Sequence, residues 1–262
     1  MKLLFVGDVI GKPGRRALKG LLPRLVDHHR ADYVVVNVEN SAGGFGVNPE
    51  VMHDIQDLPI DCFTSGNHIW DKKEGLPLLD SEPRLLRPAN YPEGNPGKGL
   101  YVGETAVGIP VATINLEGRA FMNSLESPFR TADRLLASLP PEVKVVFIDF
   151  HAEATSEKQA MAFYLDGRVS AVIGTHTHVP TADERILPGG TALQTDAGMT
   201  GPYESVIGMR ADKVLKRFLL NTHASFEVAK RDVRLAGTLL DIDEATGKAR
   251  AIERLLVPFA ME

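Results

Sequence analysis

Short apolar runs alternate with amphipathic segments along most of this chain, and this alternation constrains its fold more than any other feature. Six runs are interpreted as strands, at residues 2–8, 32–40, 61–70, 107–116, 143–153 and 169–178. Helices are predicted around residues 15–28, with an interruption at Pro23, and from residue 156 to about residue 165. Asn48 and Pro49 have the residue types of a helix N-cap and a first helical position. This pattern is typical of an α/β protein with layers of helices on its sheets.

The last third of the sequence differs, because strand-like segments follow one another there with tight connections. The stretch "DEATGK" at residues 243–248 is typical of a hairpin turn, and one helix is predicted at about residues 209–220. The pattern therefore predicts a mixed sheet packed on an antiparallel sheet, with helices outside. The chain has 262 residues, of which 44% are hydrophobic, and we expect one domain over residues 1–262.

Charge and cysteine content limit what such a protein binds. The net charge is −5, and the scattered basic residues do not form a footprint for duplex nucleic acid. No secretory signal is apparent and no apolar run approaches the ~20 residues of a membrane span, so we expect a soluble, cytoplasmic protein with no membrane partner. The single cysteine, Cys62, is predicted to be buried. An acidic protein that handles an anionic substrate needs a local positive charge, and bound metal cations are the strongest source.

Polar side chains recur where the predicted strands end. They are Asp8, Glu39, Asn40, Asn67, His68, His151, His176 and His178. Each has an ordinary explanation by itself, such as a turn or cap for Asp8, a turn for Asn67 and a buried polar position for His151. Strand ends of an α/β sheet, however, meet at the edge where ligands bind. Their joint recurrence therefore predicts a metal site.

The two histidines of "GTHTHVP" indicate more than one ligand position. In an extended segment, residues i and i+2 face the same way ~6.5 to 7 Å apart, so His176 and His178 would not meet at one ion. This spacing favours two metals, or one metal and one substrate contact, with Pro180 ending the strand. The ions of dinuclear hydrolases lie ~3.5 to 4 Å apart and need a bridging group, for which Glu39 is the natural candidate.

Six motifs follow one another over nearly the whole chain: "GDVIGKPGR", "NVENSAGG", "TSGNHIW", "RPANYP", "GTHTHV" and "TDAGMTG". In this order they resemble the motifs of the calcineurin-type metallophosphoesterases, and most closely those of the YmdB-type bacterial phosphodiesterases. Ile10, Glu39-Asn40 and Ile69 depart from the motifs of the wider superfamily. The YmdB-like branch shares these departures, which favours the narrower assignment.

The resemblance implies a metallophosphoesterase-type four-layer α/β/β/α sandwich with a dinuclear metal centre. It assigns Asp8, Glu39, Asn40 and His178 to one ion, and Glu39, Asn67, His151 and His176 to the other. His68 would lie outside these ligands as the general acid. Carboxylate, amide and imidazole donors suit iron or manganese, with zinc as an alternative.

The function implied by the resemblance is phosphodiester hydrolysis, in particular of 2′,3′-cyclic nucleotides. Two ions would polarise the phosphoryl group and hold a hydroxide as nucleophile, and His68 would protonate the leaving oxygen. RNA ends are a further candidate substrate, and a homo-oligomer is a candidate assembly. A phosphomonoesterase with the same metals, and a regulatory or RNA-associated binding protein on the same fold, are the alternatives.

A few further residues are candidates for substrate contact, although each also has an interpretation as core or loop scaffold. They are Phe45, residues 115–119, Phe121 and Met122. Arg87 is interpreted either as a phosphate contact or as part of a structural salt bridge. Four histidines, His28, His29, His53 and His223, are predicted to lie at the surface.

Overall fold

The computed structural model describes residues 1–222 and 225–260, whose strands form two six-stranded sheets. The first sheet contains β1 (Lys2–Val6), β2 (Tyr33–Asn37), β3 (Cys62–Thr64), β10 (Gly201–Pro202), β11 (Val233–Ile242) and β12 (Ala249–Pro258). The second sheet contains β4 (Leu100–Glu104), β5 (Pro110–Glu117), β6 (Val145–His151), β7 (Ala171–Thr175), β8 (Arg185–Ile186) and β9 (Ala192–Gln194).

Both sheets are mixed, so the prediction that one of them is antiparallel is wrong. In the first sheet, β1, β2 and β3 are parallel neighbours, and β11 is antiparallel to β1, β10 and β12. In the second sheet, β5, β6, β7 and β9 are parallel neighbours, with β4 and β8 antiparallel at the edges. The difference arises because the last third of the chain builds no sheet of its own. Its strands extend the second sheet and complete the first.

In the described part of the chain, six α-helices accompany the sheets. They are α1 (Gly11–His29), α2 (Pro49–Ile55), α3 (Leu78–Ser81), α4 (Pro128–Ser138), α5 (Thr155–Tyr164) and α6 (Ala211–Leu220). Asn48 caps α2 as predicted, because its side-chain oxygen accepts a hydrogen bond from the Val51 N–H at 2.9 Å. Helix α1 continues through Pro23, so the predicted interruption is wrong. Pro23 is exposed there, where water can bind the carbonyl that loses its helical partner.

Alternate side chains of β1 face different layers of the molecule. Phe5 faces the second sheet, and its ring centroid lies 5.0 Å from that of Phe147 in β6. Leu4 faces the opposite way, into a cluster that contains Leu18 of α1. A third cluster joins β5, β6 and β7 to α4 and α5. Helices, sheet, sheet and helices therefore stack as four layers, which confirms the predicted α/β/β/α sandwich.

Cys62 is fully buried in β3, as predicted, and burial raises the pKa of its thiol. Among the described residues, no helix combines the length and the apolar character that crossing a membrane requires. The cytoplasmic location stays a prediction.

Candidate metal centre

The structure brings together the polar side chains that follow the parallel strands of both sheets. Asp8 follows β1, Glu39 and Asn40 follow β2, and Asn67 and His68 lie in a 3₁₀ turn after β3. His151 is the last residue of β6, and His176 and His178 follow β7. Asp8, Glu39, Asn40 and His151 are at most 1% exposed. All eight predicted side chains therefore lie at one place on the sheet edges.

One group of donors surrounds the Nε2 atom of His151. This atom lies 3.0 Å from Asn67 Oδ1, 3.2 Å from Glu39 Oε1 and 3.0 Å from His176 Nδ1. One ring nitrogen cannot make good hydrogen bonds to three such atoms at once. One ligand atom from each of Glu39, His151 and His176 lies within 4.8 Å of the others, an arrangement that can hold a metal ion.

A second group lies beside it and contains Asp8, Asn40 and His178. Asn40 Nδ2 is 3.0 Å from Glu39 Oε1 and 3.2 Å from His178 Nε2, and His178 Nε2 is 3.8 Å from Asp8 Oδ2. The other carboxylate oxygen of Asp8 is buried and has no hydrogen-bond partner among the described residues. Glu39 Oε1 contacts members of both groups, so this carboxylate joins them.

Hydrogen bonds to the Nδ1 atoms of His151 and His178 fix the orientations of the two rings. His178 Nδ1 donates to the carbonyl of Ile207 at 2.9 Å, which leaves the lone pair of Nε2 facing the second group. His151 Nδ1 lies 2.9 Å from Thr175 Oγ1, and Thr175 Oγ1 donates to Asp149 Oδ1 at 2.7 Å. The hydroxyl proton is thereby committed to Asp149, so Thr175 accepts from His151 and leaves Nε2 facing the first group. The same device supports many metal-binding histidines.

Asp149 was not predicted from the sequence, although a signal is present. It is a fully buried aspartate within the apolar run of β6, and it also accepts hydrogen bonds from Asn37 Nδ2 at 2.8 Å and from Thr64 Oγ1. A charged residue inside an apolar strand is rare without such partners.

His176 and His178 do not lie on an extended strand, so that prediction is wrong. Strand β7 ends at Thr175, and both histidines have positive φ, 100° for His176 and 65° for His178. A positive φ is energetically unfavourable for residues other than glycine, so interactions with the surroundings must stabilise it. Asp8 Oδ2 accepts from the His176 N–H at 3.0 Å, and Asp196 Oδ2 accepts from the Thr177 N–H at 3.1 Å. The turn held by these carboxylates, rather than strand alternation, directs the two rings to different groups.

Gly66 lies so close to the side chains of the first group that only a glycine fits at this position. A Cβ atom on Gly66 would lie 2.3 Å from the His151 ring and 2.4 Å from Glu39 Oε2. Any larger residue would push these two side chains apart. The glycine of the "GNH" motif therefore permits the side chains from β2, β3 and β6 to meet.

The buried charges of the two groups shift one another's pKa values. Burial by itself would raise the pKa of Glu39, but the charge and hydrogen bond of His151 outweigh it and hold that pKa below its usual range. Burial would lower the pKa of His151, yet the neighbouring carboxylates raise it. Burial raises the pKa of Asp8 well above normal. Several acids sharing a site without solvent favour a bound cation.

His68 lies at the margin of the two groups. Its backbone N–H donates to Glu39 Oε2 at 3.2 Å, while its ring Nδ1 is 2.8 Å from Asp71 Oδ2. The side chain is 29% exposed, and its ring meets the ring of Phe45 edge-on at 5.0 Å. The ring is therefore oriented by Asp71 and accessible to a ligand.

Two of the other predicted contacts, Asn115 and Met122, belong to the scaffold, whereas Phe121 does not. Asn115 is buried and exchanges hydrogen bonds with the backbone of Ser65. Phe121 is 93% exposed, and Met122 packs against the cluster beneath α4 and α5. Arg87 donates to the carbonyls of Pro88 and Pro96 and has no ion pair within the described residues, so the salt-bridge interpretation is wrong and the phosphate contact stays a prediction.

The histidines predicted at the surface are mostly there. His28 and His53 are exposed and His29 is partly buried. His223 lies outside the described residues.

Comparison with known proteins gives full-length matches. The model of a family described as YmdB-like protein matches residues 4–255. A 2′,3′-cyclic-nucleotide 2′-phosphodiesterase from Bacillus subtilis is 49% identical over 258 residues, which cover 98% of this chain and 97% of the relative.

Two solved structures are also similar. A crystal structure of a hypothetical protein from Thermus thermophilus has a TM-score of 0.93 and 44% identity, covering 98% of this chain and 99% of that one. A novel phosphatase from Mycoplasma pneumoniae has a TM-score of 0.92 and 34% identity, covering 98% and 93%.

Proposed function

The chain belongs to the YmdB-like family, and from that premise we propose that it is a metal-dependent phosphodiesterase that hydrolyses 2′,3′-cyclic nucleotides. The observation that carries the proposal is the position of Glu39, whose Oε1 lies 3.0 Å from Asn40 and 3.2 Å from His151. One carboxylate between two groups of donors is the arrangement expected of a bridging ligand for two cations. Hydrolysis of phosphoric esters is also the activity named for its relatives.

The residues fit two cations of the proposed kind. Asp8, Glu39, Asn40 and His178 would hold one, and Glu39, Asn67, His151 and His176 would hold the other. Two features support this fit: the unpartnered Oδ1 of Asp8, and the three polar atoms that converge on His151 Nε2. Imidazole, carboxylate and amide donors without thiolate suit iron or manganese, with zinc as the alternative.

When bound, the cations would supply charge neutralisation at the phosphoryl group and activation of the attacking water. The protein itself must return a proton to the ribose oxygen that leaves, and His68 is the residue proposed for this step. When the His68 ring carries both protons, Asp71 accepts a hydrogen bond from Nδ1–H, and Nε2–H can donate its proton to the leaving oxygen. Water and the cyclic diester are thereby converted into a nucleoside monophosphate, with one P–O bond broken and one formed. RNA that ends in a cyclic phosphate carries the same reacting group.

A paired substrate assay tests the proposed reaction. We expect the purified protein to open 2′,3′-cyclic nucleotides and to leave nucleoside 2′- and 3′-monophosphates intact. Phosphate release from the monophosphates at a comparable kcat/KM would identify a phosphomonoesterase instead.

Metal content tests the proposed centre independently of activity. We expect protein purified without added metal to contain iron or manganese by elemental analysis, and Glu39→Gln to lose it. Glu82→Gln is the control for loss of a carboxylate, because Glu82 pairs with Arg84, which donates to the carbonyl of Ile60 at the start of β3, the end opposite to Asn67. Equal metal content in the two variants would contradict the role of Glu39.

A further inference from the structure

A cavity of about 410 Å³ opens directly beside the candidate metal centre. Asn40, His68 and His178 line one end, and α6 with the segment before β11 lines the other. Cavities of this size are typical of sites for small organic ligands. The cavity is continuous with the centre, so a molecule whose phosphate lies at the centre can extend into it.

The walls of this cavity combine aromatic and apolar side chains with one cation. Phe45 forms one wall, and Val214 belongs to the apolar lining. At the far side, the guanidinium of Arg217 lies 5.1 Å from the ring centroid of Phe226. Arg217 makes no ion pair with any residue between positions 1 and 222 or 225 and 260. Aromatic faces together with a planar guanidinium suit a flat heterocycle with polar edges.

We propose that this cavity binds the nucleobase of the substrate, with Phe45, Phe226 and Arg217 as the residues that contact it. The inference rests on the proposed function, since it assumes a nucleoside phosphate at the metal centre. A second phosphate is a poor match, because most of the lining is apolar and Arg217 is its one side chain with a permanent positive charge. Bases stack on aromatic side chains and on arginine irrespective of sequence, so all four common bases are expected to be accepted.

The test compares a substrate that has a base with one that lacks it. Adenosine 2′,3′-cyclic phosphate is compared with 1-O-methylriboside 2′,3′-cyclic phosphate, which has the same reacting ring. For the unmodified protein we expect the KM of the baseless substrate to be about tenfold higher, as the loss of one stacked base implies. If both KM values are equal, the cavity does not bind the base. If neither compound is hydrolysed, the proposed function fails instead.

Two variants test which side chains of the cavity contact the base. Phe226→Leu keeps apolar volume and removes the aromatic face, and Arg217→Ala changes an exposed side chain, which leaves folding intact. Each is expected to raise the KM for the adenosine substrate about fivefold to tenfold and to leave the baseless KM unchanged. Leu219→Ala is the control, because Leu219 is 79% exposed on α6 and does not line the cavity. An equal rise for both substrates, or no rise for either, would overturn the proposal.

Discussion

Lys158 Nζ lies 2.7 Å from Asp196 Oδ2, and both side chains are 1% exposed. The same oxygen of Asp196 accepts hydrogen bonds from the Thr177 N–H at 3.1 Å and from Thr177 Oγ1 at 2.8 Å. Thr177 stands between His176 and His178 in the turn with positive φ. A buried ion pair between α5 and the segment after β9 therefore anchors the turn that directs both histidines.

We expect Lys158→Met to lower the free energy of unfolding by about 3 kcal/mol, because it leaves the Asp196 carboxylate buried without its cation. Urea denaturation followed by circular dichroism measures the change. The matched control is Arg134→Met, which breaks a pair with Glu126 whose side chains are 63% and 52% exposed. Arg134→Met should lower the free energy of unfolding by less than about 1 kcal/mol. Similar decreases in the free energy of unfolding of the two variants would show that the buried pair is no more stabilising than the exposed pair.

Thr175→Val should weaken metal binding about 10-fold to 100-fold while the fold is retained. Valine cannot accept a hydrogen bond from His151 Nδ1, so the ring is no longer held with Nε2 towards Glu39. Calorimetric titration of the metal-free protein with manganese measures the change. Thr113→Val is the control, since Thr113 is equally buried in β5 and its hydroxyl has no partner among the described residues. An unchanged affinity of Thr175→Val for manganese would argue against the orientation of His151 by Thr175 and Asp149.

His68→Ala should reduce kcat about 10²-fold to 10⁴-fold and leave the metal content unchanged, because its ring is proposed as a proton donor and not as a ligand. Turnover of a 2′,3′-cyclic nucleotide and elemental analysis are the two measurements. His53→Ala, at an exposed position of α2, is the control for loss of an imidazole. Full activity of His68→Ala across the pH range would exclude the acid role, and loss of metal would assign His68 to the ligands.

Asp54→Asn should destabilise the protein at neutral pH and lose this effect in acid. Hydrogen bonds from Lys19 at 2.5 Å and from Arg15 at 3.0 Å lower the pKa of Asp54 below its usual 3.8. A depressed carboxyl pKa stabilises the folded state above the unfolded value, and this contribution disappears as the pH falls through the folded value. The group is partly exposed, so we expect less than about 1 kcal/mol at neutral pH.

Urea midpoints at about pH 7 and about pH 3 check the sign of the Asp54 effect. Asp57→Asn is the control, because Asp57 is exposed nearby and makes no ion pair with a described residue. The expectation would be contradicted if the difference in urea midpoint between the natural protein and Asp54→Asn were larger in acid than at neutral pH.

The convergence of the site residues was predictable because strong apolar runs identify parallel strands, and parallel strands end at a common edge. Asp8 and His151 were found in this way, from the residues at the end of each run. The sheet pairing was not predictable in the same way, since β8, β9 and β10 have only two or three residues each. Such short strands are placed by tertiary contacts and not by their own sequence.

Helix α4 and strand β4 were missed for different reasons. Helix α4 (Pro128–Ser138) carries a visible signal, with Pro128 at its start and apolar residues at helical spacing. Strand β4 (Leu100–Glu104) is half exposed and contains a glycine, so it lacks the apolar character of its neighbours. Lys158 also gave no hint of burial, because lysine is almost always exposed unless a partner distant in sequence meets its charge.

The place of β1 between β2 and β11 has a consequence for synthesis. Leu3 pairs with Tyr33 on one side and with Leu240 on the other, so one edge of β1 finds its neighbour early and the other edge very late. A chain emerging from the ribosome keeps that edge open until β11 has been made, and open apolar edges attract other chains. Truncation before β11 would therefore leave that edge of β1 permanently unpaired, and we expect it to yield insoluble protein.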